Sequence, residues 1–222
     1  IRRGDKMKLR EIYLSWRKGP GHNRKLVGVL KRTSNDGITF RYLKKGVEEA
    51  EKEGFSSYPG FPVDFEKSYS ENDLDIFSLR LIPFDRKDNL KSLNFWEATE
   101  LKDKFELLAL TQGILPTDNF ELLGLFYPSR SFRFVSDLAG LTHLQLVKGS
   151  LVEGDKLTYE LCRSDKAFRD VSVKVYKGNK LVGYIKNVHN NYFINSTHMI
   201  KLTVKSIDQN GHIRKIFVLI ES

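Results

Sequence analysis

The segment FRDVSVKVYKGNKLVGYI, residues 168–185, has the pattern of two β-strands joined by a tight turn. Valines alternate with polar residues in its first half, Gly178 and its neighbours supply the turn, and a second β-rich run follows. An acid, Asp170, stands at the front of this hairpin, and the pair Gly183-Tyr184 stands near its end. Packing alone would accept other residues at these places, so they are the first candidates for a functional role.

The hairpin belongs to a half of the chain that is nearly all β. From residue 126 onward the predicted strands are SFRFV, LTHLQLV, KLTYELC, VSVKVY, KLVGYI, HMIKLTVKSI and IRKIFVLI. In the sixth strand Ile200, Leu202 and Val204 alternate with polar residues, which is typical of a sheet with one buried and one solvated face. Several short strands at roughly ten-residue spacing predict a small barrel or sandwich.

The first half mixes strands with short helices. Strands are predicted at EIYLSW, KLVGVLKR and ITFRYL, and helices at residues 47–53 and 74–81. Between residues 89 and 125 the apolar residues fall on one helical stripe, from Phe95 to Leu108, and a further helical turn is predicted at Thr117 or Asp118. Acidic flanks argue against a DNA-binding helix-turn-helix here and favour a connecting helical hairpin.

We therefore predict an α+β, predominantly β protein with three segments. They are a small β-rich N-terminal domain with short helices (residues 7–88), a helical connector (residues 89–125) and a C-terminal β-barrel (residues 126–222).

Composition is that of a folded protein of the cytoplasm. Apolar residues make up 40% and charged residues 29% of the 222 residues. No run reaches the roughly 18–20 apolar residues that span a bilayer, and the N-terminal stretch lacks the apolar core of a signal peptide. The single cysteine, Cys162, cannot form an internal disulfide, which agrees with a reducing compartment. We expect a cytoplasmic protein without a membrane partner.

The positive charge is unevenly distributed. The chain carries a net charge of +9, and residues 126–222 hold 15 Lys and Arg against 8 Asp and Glu, so +7 of it lies there. A basic half of this kind is expected of a protein that binds a polyanion.

The common enzyme motifs are missing from the sequence. It has neither a phosphate-binding GxxxxGK[ST] loop nor a dinucleotide-binding GxGxxG motif, and it lacks kinase-type motifs. His189 and His198 are the histidines closest in sequence, and their spacing fits no metal-ligand pattern. We expect a non-catalytic protein with no metal and no small-molecule cofactor.

Four short elements of the C-terminal half resemble the HIRAN domain, a small β-barrel that is found fused to nucleic-acid remodelling enzymes and also in bacterial proteins. They occur in the family's order and spacing: Gly140-Leu141, Gly154-Asp155-Lys156-Leu157, DVSVKV at residues 170–175, and Gly183-Tyr184-Ile185. In the HIRAN domain that has a known ligand, the barrel holds the 3′ end of single-stranded DNA. The resemblance implies single-stranded DNA or DNA ends as the partner.

The resemblance also implies a set of nucleic-acid-binding residues. Asp170 would accept a hydrogen bond from the terminal 3′-hydroxyl, His143 and Tyr184 would stack on bases, and Lys186 or Asn187 would reach a phosphate. Thr142 and Arg169 depart from the family, because Thr142 replaces an arginine and Arg169 an aromatic residue. The remaining predicted contacts are Arg163 and Lys174.

Packing offers an alternative interpretation of the same residues. Asp170 would order a turn, Gly183 would make room for a close strand crossing, and Tyr184 would be a half-buried strand residue.

A second resemblance concerns the N-terminal half. IYLSW, KLVGVL, ITFRYL, GFSSYPGFP and DIFSLRLIP look like the N-terminal subdomain of HipA-type toxins, without the kinase core. This likeness implies a module for protein contact. The alternative function is therefore an antitoxin-like or phage-defence protein that binds a HipA-type kinase or another partner.

Overall fold

A computed structural model gives the structure of most of the chain. It describes residues 9–33, 37–70, 75–81, 89–129, 131–163, 171–210 and 212–222, with the side chains of Asn89 and Arg163 left out. The protein is α+β, with mostly strands and a few short helices. It divides into two compact units, Leu9–Leu125 and Phe126–Ser222. In the described ranges no helix is both long and apolar enough to cross a membrane.

The first unit is built on a four-stranded antiparallel sheet in the order β3-β2-β1-β4. Its strands are β1 (Glu11–Trp16), β2 (Lys25–Arg32), β3 (Ile38–Tyr42) and β4 (Phe120–Gly124). Its helices are α1 (Lys44–Glu51), α2 (Asp75–Ser78), α3 (Asn89–Phe95) and α4 (Lys104–Thr111). The three strands predicted in the N-terminal half are confirmed.

Aromatic rings from the loop after α1 fill the core of this unit. Tyr58 and Phe61 are buried, and both rings stack on Phe77 of α2 at centroid distances of 4.6 and 5.4 Å. Arg80, which is 5% exposed, is held among them. Its Nε donates to the Tyr58 hydroxyl at 2.7 Å, one terminal nitrogen donates to the Gly113 carbonyl at 2.6 Å, and the other pairs with Asp118.

The structure corrects the predicted helical connector in two places. The continuous stripe is broken into α3 and α4, because Asp103 caps a new helix by accepting a hydrogen bond from the Glu106 amide at 3.0 Å. The predicted helical turn at Thr117 or Asp118 leads instead into strand β4, which pairs with β1 and is buried at all five positions. A short, fully buried run has no periodicity that separates strand from helix.

The second unit is built on six antiparallel strands in the order β5-β10-β9-β6-β7-β8. The strands are β5 (Arg133–Asp137), β6 (Lys156–Arg163), β7 (Val171–Lys177), β8 (Lys180–Tyr184), β9 (Lys201–Asn210) and β10 (His212–Glu221). Its helical elements are α5 (Leu141–Leu144), a 3-10 turn (Asn187–His189) and α6 (Asn190–Ile194).

Most predicted strands of this unit are confirmed, and the predicted alternation of β9 is confirmed too. Ile200, Leu202 and Val204 are buried, and the residues between them are wholly or partly exposed. One prediction is wrong: LTHLQLV is not a strand, since its first four residues form the single-turn helix α5. Leu141 and Leu144 are three residues apart, a spacing that suits one face of a helix as well as an irregular strand.

Candidate nucleic-acid interface

The hairpin of β7 and β8 points a lysine and a tyrosine in the same direction. Lys174 is paired with Tyr184 across the two strands, and directly paired residues share a face of the sheet. That face is the outer one, because Val173 and Val175, on either side of Lys174 in the strand, are completely buried. Lys174 and Tyr184 are both partly exposed.

A β-bulge and a glycine set the path of β8. The register shifts between Val175 and Tyr176, and Gly183 has a φ of +155°. A Cβ built on Gly183 would lie 2.8 Å from the Cβ of Leu138 and 3.2 Å from the carbonyl oxygen of Ala139. The close strand crossing expected from packing is therefore present, and Gly183 has a structural role.

Helix α5 lies beside Tyr184 because another glycine allows it. Gly140, with a φ of +79°, precedes the helix, and a Cβ there would be 2.7 Å from the Cδ2 atom of the Tyr184 ring. Thr142 and His143 are exposed on this helix. The structure thus brings four predicted residues to one region, which we call the α5–β8 surface: Thr142, His143, Lys174 and Tyr184.

Lys174 gives the α5–β8 surface a positive charge, and its direct cross-strand partner on β6 is the acidic Glu160. The Cys162 thiol on β6, when ionised, and Tyr176 raise the pKa of the Lys174 ammonium group above its usual value. Lysine side chains are ordinarily protonated in the neutral range, so Lys174 carries a positive charge there. Tyr176 lies on the same face, and its hydroxyl donates to Glu160 at 3.0 Å.

Lys186 has a different place from the one predicted. The residue is 2% exposed, and its ammonium group forms an ion pair with the buried carboxylate of Asp137. Next to Asp137 in sequence, the Ser136 hydroxyl is hydrogen-bonded to Nδ1 of His189 at 2.8 Å, and both of these residues are fully buried. Burial and pairing remove Lys186 from the side chains that meet a phosphate from solvent, so that prediction is corrected.

The other predicted residues divide into two groups. Asn187 is exposed at the start of the 3-10 turn. Arg169 and Asp170 lie outside the described residues, and so does the Arg163 side chain, although the backbone of Arg163 pairs with Val171 at the end of β6.

A cleft beside α5 was not predicted. It has a volume of about 560 Å³ and lies between α5 and the start of β10, lined by Leu141, Thr142, Gln145, His212, Ile213 and Arg214. We call it the α5–β10 cleft. The segment after α5 is held along β10 by an Ile213 amide that donates to the Leu146 carbonyl at 3.2 Å. Among its lining residues Thr142 was a predicted contact, and the polar DQNGH stretch between the last two predicted strands was a further signal in the sequence.

Known proteins give no further guidance. No protein-family model matches the chain, and neither a curated protein nor a solved structure is significantly similar to it. Within the described ranges, no group of three or more His, Cys, Asp and Glu side chains is arranged to hold a metal ion.

Proposed function

We propose that the second unit binds single-stranded nucleic acid, with single-stranded DNA or a DNA end as its ligand, through the α5–β8 surface. The observation that carries this proposal is the pairing of Lys174 with Tyr184 on an outer face, next to the exposed His143 helix. Single strands are commonly held by aromatic rings that stack on bases and by cations that follow the backbone. The net charge of +7 on residues 126–222 favours the same ligand.

The fold of this unit supports a HIRAN-like barrel as part of the proposal. Ala139, just beyond β5, exchanges two backbone hydrogen bonds with Tyr184 on β8, at 2.7 and 3.0 Å. β5 and β8 are the first and last strands in the sheet order, so these bonds join the two ends of the six-stranded arrangement. We infer that they close the strands into a barrel and hold Tyr184 rigidly at the closure.

The predicted contact Asp170 belongs to this proposal as an acceptor for a 3′-hydroxyl. It directly precedes Val171, the first residue of β7, whose strand carries Lys174. A DNA end with a free hydroxyl would donate to the carboxylate, whereas a 3′-phosphate would be repelled by it.

Fluorescence anisotropy with labelled oligothymidylate tests the proposal. Strands ending in a 3′-hydroxyl or a 3′-phosphate are titrated with the wild type, Tyr184→Leu, Lys174→Gln and Asp170→Ala at about 50 mM salt. Loss of one stacked base costs about 1–3 kcal/mol, so Tyr184→Leu is expected to weaken binding by about five-fold or more. Lys174→Gln is expected to reduce the slope of log K against log salt by about 0.7.

Lys201→Gln is the matched control, because Lys201 is exposed on β9 and loses the same charge outside the α5–β8 surface. If Lys201→Gln and Lys174→Gln lower the affinity for the strand equally, binding is due to general charge attraction and not to the α5–β8 surface. Absence of binding to any strand would overturn the proposal and favour the protein-contact hypothesis. Binding that ignores the 3′ group would retain the surface and remove the role of Asp170.

A further inference from the structure

The α5–β10 cleft combines cationic and neutral hydrogen-bonding side chains around a small apolar patch. Arg214 and His212 come from the start of β10, and Thr142 and Gln145 come from α5 and the residue after it. All four are exposed, while Ile213 between the two basic residues is 3% exposed. The volume of the α5–β10 cleft, about 560 Å³, is within the range of about 300–1,000 Å³ that is usual for small-molecule sites.

The chemistry of these side chains suits a phosphate ester whose remaining part, such as a sugar or a base, is polar. An arginine guanidinium carries five N–H donors in a planar fork that matches phosphate oxygens. One terminal nitrogen of Arg214 donates to Asp208 at 3.1 Å, and Asp208 does not line the cleft. Thr142 and Gln145 offer both donors and acceptors, which are the groups needed for a sugar or a base edge.

Thr142 connects the cleft to the α5–β8 surface. It lines the cleft and lies on α5, the helix that packs beside Tyr184 through Gly140. Thr142 therefore belongs to both the cleft and the α5–β8 surface.

We propose that the α5–β10 cleft binds one phosphorylated nucleotide of the strand, with the phosphate on Arg214 and His212 and the sugar or base against Thr142 and Gln145. The identity of the ligand as part of a strand rests on the proposed function. The cleft shares Thr142 with the α5–β8 surface, but the side chains proposed to hold the phosphate, Arg214 and His212, belong to the cleft alone.

Two-dimensional amide NMR with thymidine 5′-monophosphate, thymidine and inorganic phosphate as probes tests the cleft directly. The monophosphate is expected to shift the amides of Gln145, His212 and Arg214, and thymidine and phosphate are each expected to bind at least ten-fold more weakly. Arg214→Gln is expected to weaken monophosphate binding about ten-fold, since a hydrogen bond to a charged group is lost. Asp208→Asn is expected to strengthen it several-fold, because a competing carboxylate is removed from Arg214.

Arg10→Gln is the matched control: Arg10 is an exposed arginine of the first unit, and the change removes the same charge. Equal affinity for phosphate and the monophosphate, or shifts that spare the three cleft amides, would overturn the nucleotide assignment. Strand binding that depends on Tyr184 but not on Arg214 would refute the cleft and retain the proposed function. Monophosphate binding that depends on Arg214, without any strand binding, would retain the cleft as a nucleotide site and refute the proposed function.

Discussion

Replacing Gly183 by alanine is expected to break the contact between β8 and the segment after β5. The new Cβ would lie 2.8 Å from the Cβ of Leu138, closer than real Cβ atoms approach, and 3.2 Å from the Ala139 carbonyl oxygen, which is tighter than most real Cβ contacts. Forcing extra volume into a packed site costs about 1–3 kcal/mol, and the φ of +155° adds about 1–3 kcal/mol for a residue with a Cβ. We expect the unfolding free energy of the second unit to fall by about 2–6 kcal/mol.

Gly178→Ala is the control, because Gly178 lies in the turn of the same hairpin. Its φ is +57°, and a Cβ built there meets nothing within 4 Å. It should cost only the backbone strain of about 1–2 kcal/mol. The difference between the two variants reports the steric contact of Gly183 together with the extra backbone strain at its φ of +155°.

Native-state amide hydrogen exchange measures the loss of the contact between β8 and the segment after β5 at the amides that form it. The Tyr184 amide donates to the Ala139 carbonyl at 3.0 Å, so its protection should fall in Gly183→Ala and persist in Gly178→Ala. Trp16 and Trp96 both belong to the first unit, and their fluorescence in urea should be the same in both variants. Equal destabilisation by the two substitutions would refute the close crossing and, with it, the inferred barrel closure.

Three further outcomes concern the first unit. Arg80→Lys is expected to lower its stability by about 3 kcal/mol in a urea titration followed by tryptophan fluorescence, because an ammonium group cannot make the three divergent contacts of the guanidinium. Asp103→Ala should cost about 1 kcal/mol, and Asp103→Asn less, by the same measurement. Burial favours the neutral form of Asp103, but the hydrogen bond from the Glu106 amide and the contact with Arg32 outweigh burial and hold the pKa of Asp103 below its usual value. The contribution of the Asp103 carboxylate to folding stability should therefore be present above about pH 4 and be lost as the pH falls through the lower folded pKa. Burial raises the pKa of Tyr42 to about 12, so its share of stability should be complete below about pH 10 and decline as the pH rises towards 12. In an ultraviolet titration Tyr42→Phe should have one late-ionising phenol fewer than the wild type.

The sequence predicted which residues could contact a nucleic acid, but only partly which of them lie together on the folded protein. Lys174 and Tyr184 could be found because strand alternation and a short turn are local properties of the hairpin. Lys186 was placed wrongly, because only the tertiary structure shows that Asp137, 49 positions earlier in the numbering, accepts its charge inside the protein. Gln145, His212 and Arg214 were missed because two segments far apart in the sequence meet at the α5–β10 cleft.

The sequence by itself determined the predominantly β character, the positions of most strands and which face of β9 is buried. These features depend on the alternation of apolar and polar side chains within single segments. Only the tertiary structure decided that residues 120–124 are a strand rather than a helical turn, and that residues 141–144 are a helix rather than a strand. Both segments are short, and the free energy of a short segment depends on its partners, β1 in one case and the Tyr184 ring in the other.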